Sequence, residues 1–200
     1  QSLRAYVSSF FRLLAQRALL LIFLVTAFRA VGQAVTTIFL PVYMREDLGY
    51  SSALVGVYVA MGQLAGIGSQ PLMGFLSDRF GHKSVILPAL IAFAVLLGLL
   101  PLADGKLQLG LVILAMGLFV FSMQSILTSA AVELAGESLH STIVSLIYAS
   151  SFVGSLSPTI AGVIADAYGL KSAFIFSFTA VSLAAIVMAL TPSRRQSRSA

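Results

Sequence analysis

One arginine, Arg29, lies deep inside a long apolar run, with Gln33 and Thr36 four and seven residues further on. At helical spacing these three share a face. Gly117, Phe121, Gln124 and Thr128 form a second such set, and Tyr148 stands among Ser145, Ser151 and Ser155 in a later run. Guanidinium, amide and hydroxyl groups bind solutes well but do not break bonds unaided. A hydrolase working at this depth needs a nucleophile with a base, or metal ligands held together. The chain has no Cys, its two histidines (His82 and His140) fall in expected loops, and none of its seven acids sits mid-span. Catalysis, resident metals and cofactors are therefore not expected. What remains is recognition, with Arg29, Gln33, Thr36, Gln124, Thr128 and Tyr148 lining a path, or interhelical hydrogen bonding worth about 0.6 kcal/mol per contact. For Gln63 and Gln70, beside Gly62 and Gly66, packing is the expected role.

The elements that position these residues follow from composition. Of 200 residues 58% are hydrophobic and 10% charged, with a mean hydropathy of +0.99, whereas soluble domains run about 45–50% apolar and about 25% charged. Such a chain belongs in a bilayer. Apolar content excludes disorder, and the lack of Cys excludes a disulfide scaffold. Twelve Lys and Arg against seven Asp and Glu give +5, but the basic residues edge the apolar runs, so membrane orientation explains them better than nucleic acid.

A spanning helix needs about 20 apolar residues, and six such runs are present: 18–44, 53–76, 85–103, 107–132, 142–166 and 173–191. The fold class expected is all-α, a six-span membrane bundle, with loops too short to hold a soluble core. Residues 1–17 alternate apolar side chains with Arg4, Arg12 and Arg17, the pattern of an amphipathic helix on the membrane surface. The segment lacks the cleavage site of a signal peptide. Residues 192–200 form a basic tail. Lys and Arg number eight on the side holding both termini and three on the other, which places both termini in the cytoplasm. The start at Gln1 rather than Met points to a piece of something longer.

Two helix ends carry the same residues. Gly74-Phe75-Leu76-Ser77-Asp78-Arg79-Phe80-Gly81-His82-Lys83-Ser84 matches Gly162-Val163-Ile164-Ala165-Asp166-Ala167-Tyr168-Gly169-Leu170-Lys171-Ser172 as Gly-x3-Asp-x-aromatic-Gly-x-Lys-Ser, 88 residues apart. Three spans separate the copies, so they fall on opposite faces of the membrane, as in the inverted repeats of secondary transporters. The plainer reading is that Asp-x-x-Gly ends a helix with Gly at its cap.

The first copy resembles the signature Gly-x-Leu-Ala-Asp-Arg-x-Gly-Arg-Lys of the major facilitator superfamily, in the cytoplasmic loop between the second and third helices. His82 stands where Arg is usual, weakening one cation of the loop. Phe39 to Tyr43, Leu48 to Ser51, Val55-Gly56, and Gly154, Pro158 and Gly162 in the fifth span fit the family as well. The resemblance covers nearly the whole chain and implies one six-helix half, built from two inverted three-helix repeats, of a transporter whose halves enclose a substrate path by alternating access. The fourth span lacks the Arg, and Pro158 the preceding Gly, usual in the N-terminal half, which favours the C-terminal half. By the same resemblance Gly74, Asp78, Arg79, Gly81 and Lys83 form a conformational gate motif, with Asp78 latching the cytoplasmic side, and Gly154, Pro158 and Gly162 serve helix packing.

The third span has no hydroxyl, amide or charge, and the sixth only hydroxyls that its own backbone can satisfy. Both are expected to face lipid. The partners implied are the bilayer of a bacterial inner membrane, the other six-helix half, a small solute and, for a coupled carrier, protons. Drug or metabolite export is the reading of general texture. Sugar or organic-anion transport, or a non-transporting receptor or scaffold of the same fold, are the alternatives.

Overall fold

The computed structural model describes residues 16–103, 105–135 and 140–191. The expected amphipathic segment up to residue 15, the loop at 136–139 and the tail at 192–200 lie outside the described residues. Seven α-helices follow in order: α1 Arg17–Glu46, α2 Ser52–Phe80, α3 His82–Leu99, α4 Lys106–Val120, α5 Ser122–Ala135, α6 His140–Tyr168 and α7 Lys171–Leu190. A 3-10 turn, Leu100–Leu102, prolongs α3. Helices α4 and α5 are two parts of one span, so six helical segments are long and apolar enough to cross a membrane. Among the described residues there is no strand.

The interruption in the fourth span falls at Phe121. The Ser122 hydroxyl donates to the Leu118 carbonyl at 2.6 Å and the Ser125 hydroxyl to the Ser122 carbonyl at 2.9 Å. Back-bonding of this kind competes with the helical ladder and bends it.

Helix α1 packs along both α6 and α7, α2 along α4, and α3 along α7. At two crossings the backbones themselves approach closely, and both depend on glycine. A Cβ on Gly154 would lie 2.5 Å from the backbone carbon of Ala30, bringing α6 against α1, and a Cβ on Gly117 would strike the Gly62 backbone, bringing α4 against α2. Small residues allow this approach in a bilayer, where apolar association between helices gains nothing over lipid. Gly66 and Gly154 stand 88 residues apart, and each meets a carbonyl oxygen of its neighbour, Gly117 for one and Ala30 for the other. The repeat read from the loops therefore extends into the packing.

Helices α3 and α7 are not simply lipid-facing. Each buries one side, Ile86, Leu90, Phe93 and Leu97 on α3 and Phe174, Val181 and Met188 on α7. Along their lengths they expose large apolar side chains, among them Ile91 and Val95, and Ile175 and Ile186. In a six-helix bundle even an apolar helix must pack on one side, so the expectation holds for the outer side alone. The spans of α2 and α6 are the least covered.

Candidate functional site

Arg29 is the largest fully buried side chain after packing, only 1% exposed. It lies 12 residues into α1 from Arg17, roughly 18 Å along the axis at about 1.5 Å per residue. That depth costs a cation about 2.5–3.5 kcal/mol on insertion scales, and a guanidinium stays charged at any physiological pH. Its partners are neutral. Nη1 donates to Gln33 Oε1 at 2.8 Å and to the Val120 carbonyl at 3.2 Å, and Nη2 donates to Gln124 Oε1 at 2.5 Å. The buried Nε has no partner among the described residues. Val120 offers its carbonyl because it ends α4 just before the break at Phe121.

Gln124 donates in turn to Ser151 Oγ on α6 at 3.4 Å. Arg29, Gln33, Gln124, Tyr148 and Ser151 thus meet in an open cavity of about 530 Å³, with Tyr148 62% exposed at its edge. Thr37, Phe121, Gly154 and Ser155 complete much of its wall.

Three residues of the two expected stripes go elsewhere. Thr36 is buried beside a separate space of about 80 Å³ between α1, α2 and α4, and its hydroxyl lacks a partner among the described residues. Thr128 donates back to the Gln124 carbonyl at 2.9 Å and does not line the cavity. Gly117 is taken up by its crossing with Gly62. On a helix turning about 100° per residue, Thr36 lies about 20° behind Arg29 while Gln33 and Thr37 lie about 40° and 80° ahead. The cavity is on the leading side, so Thr37 rather than Thr36 reaches it. The sequence signal for Ser151 and Ser155 is only that they are hydroxyls on α6.

The loop motif is tied to the bundle's own helix ends. Gly81 closes α2 with φ 86° and ψ 146°, its N–H donating to the Ser77 carbonyl at 2.9 Å. Lys83 Nζ donates to the Ala189 carbonyl at 2.8 Å and to the Thr191 carbonyl at 2.5 Å, placing a cation at the negative end of α7. His82 stands between Ser77 Oγ at 2.5 Å and Glu133 Oε2 at 2.9 Å, a contact that sequence spacing does not reveal. Arg79 lies over the Phe80 ring at 5.5 Å. Asp78 is exposed and makes no ion pair among the described residues. Gly74 has open space at its Cβ position. On α6, Gly154 meets α1, Gly162 stands 3.8 Å by its Cβ position from the Phe39 ring, and Pro158 lies within the helix.

The family profile of the Major Facilitator Superfamily matches residues 22–200. The chain belongs to the major facilitator superfamily. Its fold agrees with a solved structure described as a bacterial homologue of the iron transporter ferroportin in an outward-facing state, with a TM-score of 0.73 at 17% identity. That alignment covers 88% of this chain and 46% of the homologue, so the chain spans about half of its relative's length. A search of curated protein sequences returned no match. Family and fold together make this an integral membrane protein of the major facilitator type, represented by six spans.

Proposed function

We propose that this chain is one six-helix half of a secondary transporter working by alternating access, and that the cavity floored by Arg29 is one wall of its solute path. The carrying observation is the buried guanidinium itself. Polar groups at this depth are expensive and mark functional sites by default, and here a permanent cation opens onto a cavity of about 530 Å³ with only amide and carbonyl partners among the described residues. A second half would supply the opposite wall, in keeping with an alignment over 46% of the ferroportin homologue.

In this reading Asp78, exposed at the end of α2, latches onto the other half and releases when the cytoplasmic side opens. The count of basic residues supports cytoplasmic termini, and a bacterial inner membrane is the matching location. Drug or metabolite export driven by protons rests on resemblance alone. Iron is not carried over from the relative's description, because a fixed guanidinium repels a metal cation.

The test is thiol labelling of the full-length transporter with Ser155→Cys as reporter. A path position is labelled from both sides of the membrane, one at a time, as the carrier cycles. Solute flux by the full protein, with none by the isolated chain, completes the picture. A receptor or scaffold shows no flux with either, and one-sided labelling overturns the path reading.

A further inference from the structure

We propose that the solute is a small organic anion, and that its acceptor oxygens take the places at Arg29 now held by the side-chain oxygens of Gln33 and Gln124. The proposal rests on the path reading above and adds the chemical class of the cargo.

Charge is the first argument. Arg29 carries one positive charge at 1% exposure, and each of its described partners is neutral: two amide oxygens and one backbone carbonyl. Amide dipoles hydrogen-bond a guanidinium but leave its charge uncompensated, and in a water-poor setting that charge favours an anion strongly. Among the described residues, no other side chain lining the cavity is charged.

Donor arithmetic is the second argument. A guanidinium has five N–H donors, of which the described contacts use three. Nε is one of the donors left over. A carboxylate accepts two parallel N–H bonds from such a fork, so it can recruit a spare donor while displacing a neutral acceptor.

The third argument is that the displaced groups are adaptable. Gln33 and Gln124 are half-buried rather than locked, and among the described residues Gln124 is held on its far side only by a long bond of 3.4 Å to Ser151. Turned over, each amide presents N–H groups to an incoming oxygen in place of its own acceptor. Tyr148, Ser151 and Ser155 on α6 offer hydroxyls to the rest of the solute, and Phe121 offers an apolar face.

Protection of the Ser155→Cys thiol tests this, in the full-length transporter freed of other cysteines. Three matched probes differ only in charge: benzoate, benzamide and benzylammonium. Benzoate is expected to slow maleimide labelling at position 155 several-fold, with benzamide and benzylammonium without effect. Arg29→Gln should abolish that protection, and Arg29→Lys, which keeps the charge but loses the fork, should raise the benzoate concentration needed by about tenfold. Equal protection by benzamide, protection surviving Arg29→Gln, or no protection by benzoate each overturns the proposal. If Arg29→Gln does not reach the membrane, unchanged protection in Arg29→Lys overturns it instead. A thiol labelled from one side only, whatever the probe, overturns the path reading first. Fixed pairing of Arg29 with an acid of the other half appears as no protection and also overturns the proposal.

Discussion

Gly81 and Gly169 stand three spans apart and end their helices at the same positive φ, 86° at one and 87° at the other. Each donates its N–H four residues back, to Ser77 and to Ala165. Each is followed two positions later by a lysine. The positive φ, not the loop's polarity, makes glycine necessary at both.

Gly81→Ala and Gly169→Ala are therefore expected to destabilise the protein by similar amounts, about 1–3 kcal/mol for a residue forced into that region. Gly74→Ala, in the same motif but with open space and a helical backbone, should be neutral or slightly stabilising. Melting temperatures of the full transporter in detergent check this, and a marked loss in Gly74→Ala alone would contradict it.

The close crossings give a second test. Any side chain at Gly117 or Gly154 must push α4 from α2 or α6 from α1, since the neighbouring atoms are backbone. Overpacking of this sort costs about 1–3 kcal/mol. Gly117→Ala and Gly154→Ala should both reduce the yield of folded protein, while Gly56→Ala and Gly68→Ala, which face open space, should not. Equal behaviour of all four would mean the crossings are looser than described.

Much of the fold is legible in the sequence because charged clusters punctuate the apolar runs, and because Arg29 advertises its own depth. The meeting of Arg29 with Gln124 is not, since it depends on how α1 and α5 approach across 95 residues of sequence. The same gap separates Thr36 from its expected role. Spacing of four and seven defines a broad face, and only packing decides that Thr37 rather than Thr36 turns toward the cavity. Gly117 misleads differently: in a polar stripe it reads as lining, yet a glycine contributes its absence of side chain to whichever helix comes closest. The break at Phe121 has no Pro to announce it, only two serines able to bond backward.

Asp78 and Glu133 differ in kind, and their neutral variants should too. Asp78 makes no ion pair among the described residues, so Asp78→Asn should leave stability within about 0.5 kcal/mol. Its effect belongs to cycling: accessibility should shift toward the cytoplasm-open state and turnover should fall. Glu133 pairs with His82 at 2.9 Å, a surface contact worth about 0.2–1 kcal/mol. Glu133→Gln should trim stability slightly and leave any proton coupling intact. Loss of proton-driven transport with exchange preserved would instead make Glu133 the proton carrier.

The last prediction turns Gln124 into the missing anion. Gln124→Glu keeps the side chain's length and shape and sets a carboxylate where an amide oxygen now lies 2.5 Å from Arg29 Nη2. Charge-assisted pairs of this geometry are about twice as strong as neutral ones, and the buried guanidinium gains the counter-charge it lacks. Thermal stability should hold or rise, whereas binding of an anionic solute should fall by at least about tenfold, since the site is already occupied by the protein's own carboxylate. Gln124→Ala removes the contact without adding charge and should weaken stability while sparing some anion binding. Benzoate protection of the thiol at position 155 and the melting temperature, measured on both variants, give the answer. Anion binding undiminished in Gln124→Glu would mean that Arg29 is already neutralised elsewhere and that its role is to hold helices rather than cargo.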